Sequence, residues 1–157
     1  MLYPNFEDGG EVEIKYQIFE EENLLIQKFV GVFQVERYMQ FVGYLMRLIH
    51  SNMINYVLID FRDITFDIIP DDFEPIVDKL IQHRRNLLEN TIKRDDVTIV
   101  FWVANPLSTA IAHLFKENFS NMNYHYCSTL DSVTNILKLP DRFKNIDGIM
   151  GKLENTF

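Results

Sequence analysis

Two short segments, residues 56–61 and 97–103, are apolar on both faces of a strand, and a helical pattern follows each of them. This composition is typical of inner strands that are covered on both sides, because a half-exposed strand would alternate with polar residues. Crossover connections in a parallel sheet place helices against such strands. We therefore predict that the two segments are neighbouring or near-neighbouring parallel strands of an α/β fold.

The chain opens with a different strand pattern. Val12, Ile14, Tyr16 and Ile18 alternate with polar residues, which is the period of a half-buried strand. An acidic turn then leads to a second apolar segment, LLIQKFV, which ends at Gly31. Two strands joined in this way predict an antiparallel hairpin.

Helical periodicity separates the later strands. Apolar residues recur at spacings of three and four from Val35 onward and again across residues 70–90, and Asn105 with Pro106 marks a third helix start. A last strand, YHYCS, and a last helix before Pro140 complete the order β-β-α-β-α-β-α-β-α. The sequence thus predicts a small mixed, mostly parallel sheet that opens with an antiparallel hairpin and is covered by helices. The helix residues expected in its core include Phe73, Leu80, Leu114 and Phe115.

A chain of 157 residues falls in the one-domain range, and we expect residues 1–139 to form a single α/β domain. Residues 140–157 contain two glycines and show weak periodicity. They are predicted to be a C-terminal tail, either loose or laid over the surface as a strip.

Net charge, apolar run length and cysteine content indicate which partners and which cellular compartment to expect. A net charge of −8 argues against a nucleic-acid partner, because that affinity comes mainly from basic side chains. The opening MLYPNFEDGG lacks a leader pattern, and no apolar run approaches the roughly 20 residues that span a bilayer. Cys127 is the single cysteine. We expect a cytoplasmic protein that is not an integral membrane protein.

The element order resembles that of a known family. A hairpin, the strand and loop NYVLIDFRDITFD, the segment VTIVFWVANPLSTAIAHLF and a terminal helix STLDSVTNIL together resemble the STAS-like group, specifically its SpoIIAA-like, anti-sigma-factor-antagonist branch. The resemblance extends from about Val12 to Leu139. It implies a small mixed sheet with helices, and a binding or regulatory role without catalysis.

The chain departs from that family at its switch position. The resemblance implies a phosphorylatable serine at the start of the helix after the third strand, where this chain has Ile69 and Pro70. Thr65 is the only nearby hydroxyl, so we predict no phospho-switch at this loop. The SpoIIAA-like branch also resembles lipid-transfer folds, which enclose a hydrophobic ligand in an α/β shell. A carrier of lipid or of a small hydrophobic ligand is therefore an alternative function.

Acidic residues are densest at and after the third predicted strand. Carboxylates at a strand end are able to hold Mg²⁺ or accept a phosphoryl group, so a small metal-dependent hydrolase or phosphoryl-transfer enzyme is a second alternative. The same residues are also explained without chemistry, as helix N-caps and as solvent-exposed loop residues. Asp63 and Asp67 are expected to lie in such a loop and to contact a partner there. The cluster comprises Asp60, Asp63, Asp67, Asp71 and Asp72.

Two further groups of polar or reactive residues are better explained by structural roles than by binding or catalysis. Asn105, Ser108 and Thr109 lie at a helix start that attracts anions, but Asn105 is favoured as a plain cap. His125 and Cys127 point the same way on a strand, yet packing is favoured over nucleophilic chemistry. No catalytic, cofactor-binding or metal-ligating residue is assigned.

A second apolar line runs along the first helix beside its core stripe. Phe41, Tyr44 and Leu48 recur at spacings of three and four, and an exposed line of this kind marks an interaction surface. The alternative is that a neighbouring helix or the C-terminal segment with Phe143, Ile146 and Ile149 covers it. The sequence therefore predicts a non-enzymatic binding or regulatory module that docks a protein partner or a second copy through Phe41, Tyr44, Leu48, Asp63 and Asp67.

Overall fold

The computed structural model describes residues 12–51, 53–67, 70–89, 96–118 and 123–157. The predicted order of strands and helices is confirmed, with a short helix and a short strand added after it. Two 3-10 turns lie at Glu20–Glu22 and Asp141–Phe143. The strands and helices are β1 Glu13–Phe19, β2 Leu24–Val32, α1 Val35–Ser51, β3 Tyr56–Thr65, α2 Pro70–Glu89, β4 Thr98–Trp102, α3 Pro106–Asn118, β5 Asn123–Cys127, α4 Leu130–Leu137, α5 Ile146–Met150 and β6 Asn155–Thr156.

The described strands form a six-stranded sheet in the order β5-β4-β3-β2-β1-β6. Strands β2 to β5 run parallel to one another, and β1 is antiparallel to both of its neighbours, β2 and β6. The two segments that are apolar on both faces form the neighbouring parallel strands β3 and β4, in which Tyr56 lies opposite Thr98. The predicted mixed, mostly parallel α/β fold is therefore confirmed.

One face of the sheet, here called the three-helix face, packs against α1, α2 and α3. Alternate residues of β3 and β4, such as Phe61 and Phe101, meet side chains such as Leu45 and Ile111 from the helices. Leu80 is buried as predicted. Of the other predicted core residues, Leu114 is only partly buried, and the side chains of Phe73 and Phe115 lie outside the described part of the structure.

The opposite face, here called the C-terminal face, packs against α4 and α5. Leu58 and Trp102 of the sheet contact a second cluster that includes Val133 from α4. Residues after Pro140 supply much of this cluster and are buried against the sheet. They are Phe143, Ile146, Met150 and Leu153.

The chain then passes around the edge of β1. Strand β6 pairs with β1, with Thr156 opposite Lys15, and the Phe157 N–H donates to the Ile14 carbonyl at 3.0 Å. The Phe157 ring packs on the three-helix face, with its centroid 5.0 Å from that of Phe41. The last residues of the chain thus contact both faces of the sheet.

Candidate functional site

The carboxyl ends of β2 to β5 and the loops that follow form one edge of the sheet, here called the carboxyl rim. Hydrogen bonds fix its geometry where β2 and β3 end. The Phe33 N–H donates to the Thr65 carbonyl at 2.7 Å, and the Thr65 hydroxyl donates to the Gly31 carbonyl at 3.2 Å. In α/β sheets this edge is the usual place for ligands.

Strand β3 extends farther toward the rim than the sequence predicted. Its pairing with β2 continues past a register shift between Lys28 and Val30, and Val30 lies opposite Asp63. Asp63 is therefore a strand residue, and its assignment to a loop is wrong. After this register shift the parallel hydrogen bonding between β2 and β3 resumes, and it keeps β3 extended as far as Thr65.

The acidic residues of this region do not converge. Asp60 is fully buried, and its carboxylate accepts hydrogen bonds from Arg62 Nε at 3.0 Å and Nη2 at 2.9 Å. Asp63, with 57% of its side chain exposed, lies 3.3 Å from Lys28 Nζ. Asp67 is exposed, and within the described ranges no cluster of three metal-ligating side chains occurs. The convergence that a hydrolase site would need between Asp60 and Asp63 is thus not formed.

Arg62 connects three elements. Its guanidinium carbon lies 3.5 Å from the centroid of the Trp102 ring, and Nη2 donates to Asp147 Oδ1 of α5 at 2.9 Å. Burial lowers the pKa of Arg62, but the hydrogen bonds to Asp60 and Asp147 outweigh that effect and raise the pKa overall. The guanidinium stays charged and links β3, β4 and α5.

Asn105 is the N-cap of α3, as expected. Its Oδ1 accepts from the Ser108 N–H at 2.9 Å, and its carbonyl accepts from the Thr109 hydroxyl at 2.9 Å. Its Nδ2 also lies 3.5 Å from the Ile64 carbonyl of β3. The polar groups at this helix start are therefore engaged within the chain.

A groove opens where the chains leaving β4 and β5 diverge. The Val103 N–H donates to the Cys127 carbonyl at 2.9 Å, and beyond this bond α3 turns to the three-helix face and α4 to the C-terminal face. Divergence of this kind is the position where open α/β sheets bind ligands. The groove has a volume of about 680 Å³ and is lined by Val103, Ala104, Asn105, Pro106, Thr109, Ala110, His113, Tyr126 and Ser128.

One wall of the groove carries an imidazole and a phenol. The Tyr126 hydroxyl and His113 Nδ1 are 3.3 Å apart, and either atom is the donor according to the histidine tautomer. Lys116 Nζ lies 5.7 Å from the centroid of the Tyr126 ring. Sequence patterns do not single out His113, because its proximity to β5 depends on how α3 packs against that strand.

His125 and Cys127 lie on β5, and neither is activated. Burial raises the pKa of the Cys127 thiol to about 11, whereas a nucleophilic cysteine has a lowered pKa. Burial, followed by the charge of Lys116, lowers the pKa of His125. Cys127 packs against the core of the C-terminal face, as the packing interpretation expects.

The second apolar line of α1 is not an exposed strip. Phe41 is completely buried, and Tyr44 and Leu48 are partly buried against the core. The Tyr44 hydroxyl hydrogen-bonds to the Tyr16 hydroxyl at 2.6 Å, and its ring stacks on Phe157 at 5.3 Å between centroids. The expectation of an exposed Phe41 is therefore wrong, because β1 and the chain's last described residue cover this flank. Of the C-terminal segment that the alternative named as a cover, Phe157 packs on this flank, whereas Phe143, Ile146 and Ile149 pack on the C-terminal face.

A small cavity lies on the three-helix face beside Gln27. It has a volume of about 10 Å³ and is lined by Gln27 and apolar or aromatic side chains including Tyr38, Phe41 and Tyr124. This volume is close to that of one water molecule. It is too small for a lipid.

Comparisons with known proteins return solved structures only. No family model matches the chain, and no curated protein matches it. An anti-sigma factor antagonist from Mycobacterium paratuberculosis has a TM-score of 0.46 at 11% identity, covering 78% of this chain and 93% of that one. The anti-sigma factor antagonist SpoIIAA in its unphosphorylated form has a TM-score of 0.43 at 9% identity, covering 82% of this chain and 99% of that one.

Both belong to the group that the element order resembles. The partners of these two proteins are not assigned to this chain. In the described part of the chain, no helix combines the length and apolar character needed to cross a membrane.

Proposed function

We propose that this chain is a non-enzymatic binding module with a regulatory role, and that a protein partner contacts its carboxyl rim. The observation that supports this proposal is that the acidic residues at this rim differ in their exposure to solvent. Asp60, which a metal or phosphoryl site would use, is enclosed in an ion pair with Arg62, whereas Asp63 and Asp67 face solvent. Exposed carboxylates that do not converge on a common point suit electrostatic recognition of a partner better than catalysis.

Control by phosphorylation at the family switch position is not part of this proposal. Helix α2 begins at Pro70, which has no hydroxyl, and Ile69 lies outside the described residues. The Thr65 hydroxyl donates to the Gly31 carbonyl at the rim. Mass spectrometry of protein purified from its native source should find no phosphate on Thr65, and stoichiometric phosphate there would overturn this part.

The decisive experiment is quantitative affinity capture with the purified domain as bait. The double variant Asp63→Ala/Asp67→Ala should lose the captured partner while its thermal melting stays close to that of the parent chain. Little stability is expected from the ion pair between Asp63 and Lys28, because exposed pairs contribute roughly 0–1 kcal/mol. Mass spectrometry of the captured proteins, compared with the parent bait, measures the loss.

A matched control removes the same charge at the opposite end of the sheet. Glu20 and Glu21 are exposed in the turn between β1 and β2, away from the carboxyl rim. The variant Glu20→Ala/Glu21→Ala should keep the partner. Equal loss from both double variants would mean that net charge, and not the rim, governs capture, and the proposal would then fail.

Docking through α1 is a separate part of the proposal. Tyr44 and Leu48 retain partial exposure, so a second copy or a partner reaching this flank would contact these two residues and not Phe41. Light scattering of the parent chain and of Tyr44→Glu tests it. Dissociation of an oligomer while the subunit stays folded supports docking, whereas an unchanged mass with a large drop in melting temperature rejects it.

A further inference from the structure

We infer that the groove between the β4–α3 turn and β5 binds a small organic anion with an apolar body. This goes beyond the proposed contact with a protein partner and does not depend on it. The groove is open to solvent, and its volume of about 680 Å³ is large enough to admit a small molecule. The position is where the chains after two adjacent parallel strands turn to opposite faces of the sheet.

The floor of the groove suits an apolar group. Val103, Ala104, Pro106 and Ala110 present short aliphatic side chains, and the Tyr126 ring forms part of a wall. Small side chains at these positions leave room that larger ones would fill. A planar or aliphatic body of modest size would bury its surface here against carbon atoms.

The charge of the groove selects an anion. Among the described residues no aspartate or glutamate lines it, although the whole chain has a net charge of −8. His113 lines it, and Lys116, which does not line it, lies three residues later on α3 with Nζ 5.7 Å from the centroid of the Tyr126 ring, which does. Glu117, the neighbouring acid on α3, is exposed and does not line the groove.

The polar contacts also indicate where the anionic group would lie. At the start of α3 the Ser108 N–H already donates to Asn105, so the helix start is not the anion site. The Tyr126 hydroxyl engages His113 Nδ1 and orients the imidazole; in the tautomer in which the phenol donates to Nδ1, Nε2 carries the ring proton and would donate to an anion. The anionic group would therefore lie between His113, Lys116 and Ser128, with the apolar body toward Ala110.

A pair of dyes tests the inference on the whole chain. The anionic probe is 1-anilinonaphthalene-8-sulfonate, and the neutral probe, N-phenyl-1-naphthylamine, has the same rings without the sulfonate. The anionic probe should bind with one site, and amide chemical shifts should change at residues 103–105, 107–110, 113 and 126–128. Shift changes centred on the crevice between α2 and α3 at Val77, Leu80 and Ile111 would overturn the proposal.

Two variants separate charge from shape. His113→Gln/Lys116→Gln should raise the dissociation constant of the anionic probe about fivefold, as expected for the loss of partly exposed charge contacts, and should leave the neutral probe unchanged. Ala110→Trp should block both probes by filling the groove. Lys152→Gln, an exposed site after α5, is the charge control and should have no effect. Equal affinity of the two probes, with no response to the double variant, would show that no anion site exists.

The chemical-shift map of the unmodified chain does not depend on how any variant folds. If Ala110→Trp fails to fold, that map and the comparison of the two probes still decide the matter. Binding of the anionic probe at residues 103–128 without a preference over the neutral probe would also refute an anion site.

Discussion

The guanidinium of Arg62 encloses the fully buried carboxylate of Asp60, two residues earlier on the same strand, with Nη2 and Oδ2 2.9 Å apart. Alternate residues of a strand share a face, so the pair lies together on the C-terminal face, over the Trp102 ring. A second carboxylate, Asp147, reaches the same guanidinium from α5 but is 77% exposed. The two acids therefore depend on Arg62 to very different degrees.

Replacing Arg62 by methionine should strongly destabilise the fold. Asp60 would be left as an uncompensated charge in the core, which costs about 3 kcal/mol or more in the free energy of unfolding. Urea denaturation measures the loss. The control Asp147→Asn removes only an exposed partner and should cost less than about 1 kcal/mol. Equal losses from the two variants would contradict the proposed dependence of Asp60 on Arg62.

Replacing Gln27 by methionine should stabilise the protein. The Gln27 side chain is 1% exposed, and neither its Nε2 nor its Oε1 has a hydrogen-bond partner among the residues that the structure describes. An unpaired buried polar group costs roughly 1–3 kcal/mol, and an apolar side chain of similar size removes that cost. Thermal melting should show a higher midpoint. Gln82→Met, at an exposed position of α2, should shift it little, and a lower midpoint for Gln27→Met would indicate a water-filled cavity that the amide needs.

Stability should fall between pH 10 and 12 because of Tyr16. Burial, followed by the hydrogen bond and charge of Tyr44, raises the pKa of Tyr16 from 10.0 to about 12. The unfolded chain loses this proton near pH 10, while the folded chain holds it until about pH 12, so stability is complete below pH 10 and is lost across that window. Melting temperatures from pH 9 to 12 should fall less for Tyr16→Phe than for the parent chain. Tyr56→Phe is the control and should follow the parent.

Cys127 should react slowly with alkylating reagents. With a pKa of about 11, only about 0.1% of the thiol is ionised at pH 8, and the thiolate is the reactive form. Iodoacetamide labelling, followed by mass spectrometry, should be roughly 100-fold slower in the folded protein than in urea. Equal rates in the two states would show that the thiol is neither buried nor raised in pKa.

Residues 141–157 should be essential for folding. Phe143 is 2% exposed, and truncating a buried phenylalanine to alanine costs about 3–5 kcal/mol. Deleting the whole segment removes four buried apolar side chains from the C-terminal face and should leave the chain unfolded by circular dichroism. Asp141→Ala, at an exposed position, should melt like the parent. A folded, unchanged chain ending at residue 140 would instead support a domain of residues 1–139 with a dispensable tail.

Local patterns were enough to predict the sheet but not the end of the chain. Strands β3 and β4 have a composition that only a covered inner strand explains, so their pairing followed from the sequence. The C-terminal segment has a signal too, since Phe143, Ile146, Met150 and Leu153 recur at spacings of three, four and three. A 3-10 turn and two glycines interrupt that pattern, so the sequence predicted only a tail that is either loose or laid over the surface as a strip.

The site was harder to predict because its contacts are not local. Asp63 was placed in a loop because the apolar run ends at Phe61, yet pairing with β2 keeps the strand extended to Thr65. Phe41 was expected at the surface because the residue that covers it, Phe157, lies 116 positions away in the chain. The groove depends on α3 and α4 taking opposite faces, which no periodicity within either helix determines.

The pairing of β6 with β1 has a consequence for synthesis of the chain. One edge of β1 pairs with β2 as soon as the hairpin forms. The other edge has no partner until residues 155–157 are synthesised, more than 130 positions later. A nascent chain therefore carries an open strand edge throughout translation of the intervening helices, and open edges recruit other strands. The exposed charges of Glu13 and Lys15 on β1 would then discourage wrong pairing on the ribosome until residues 155–157 emerge.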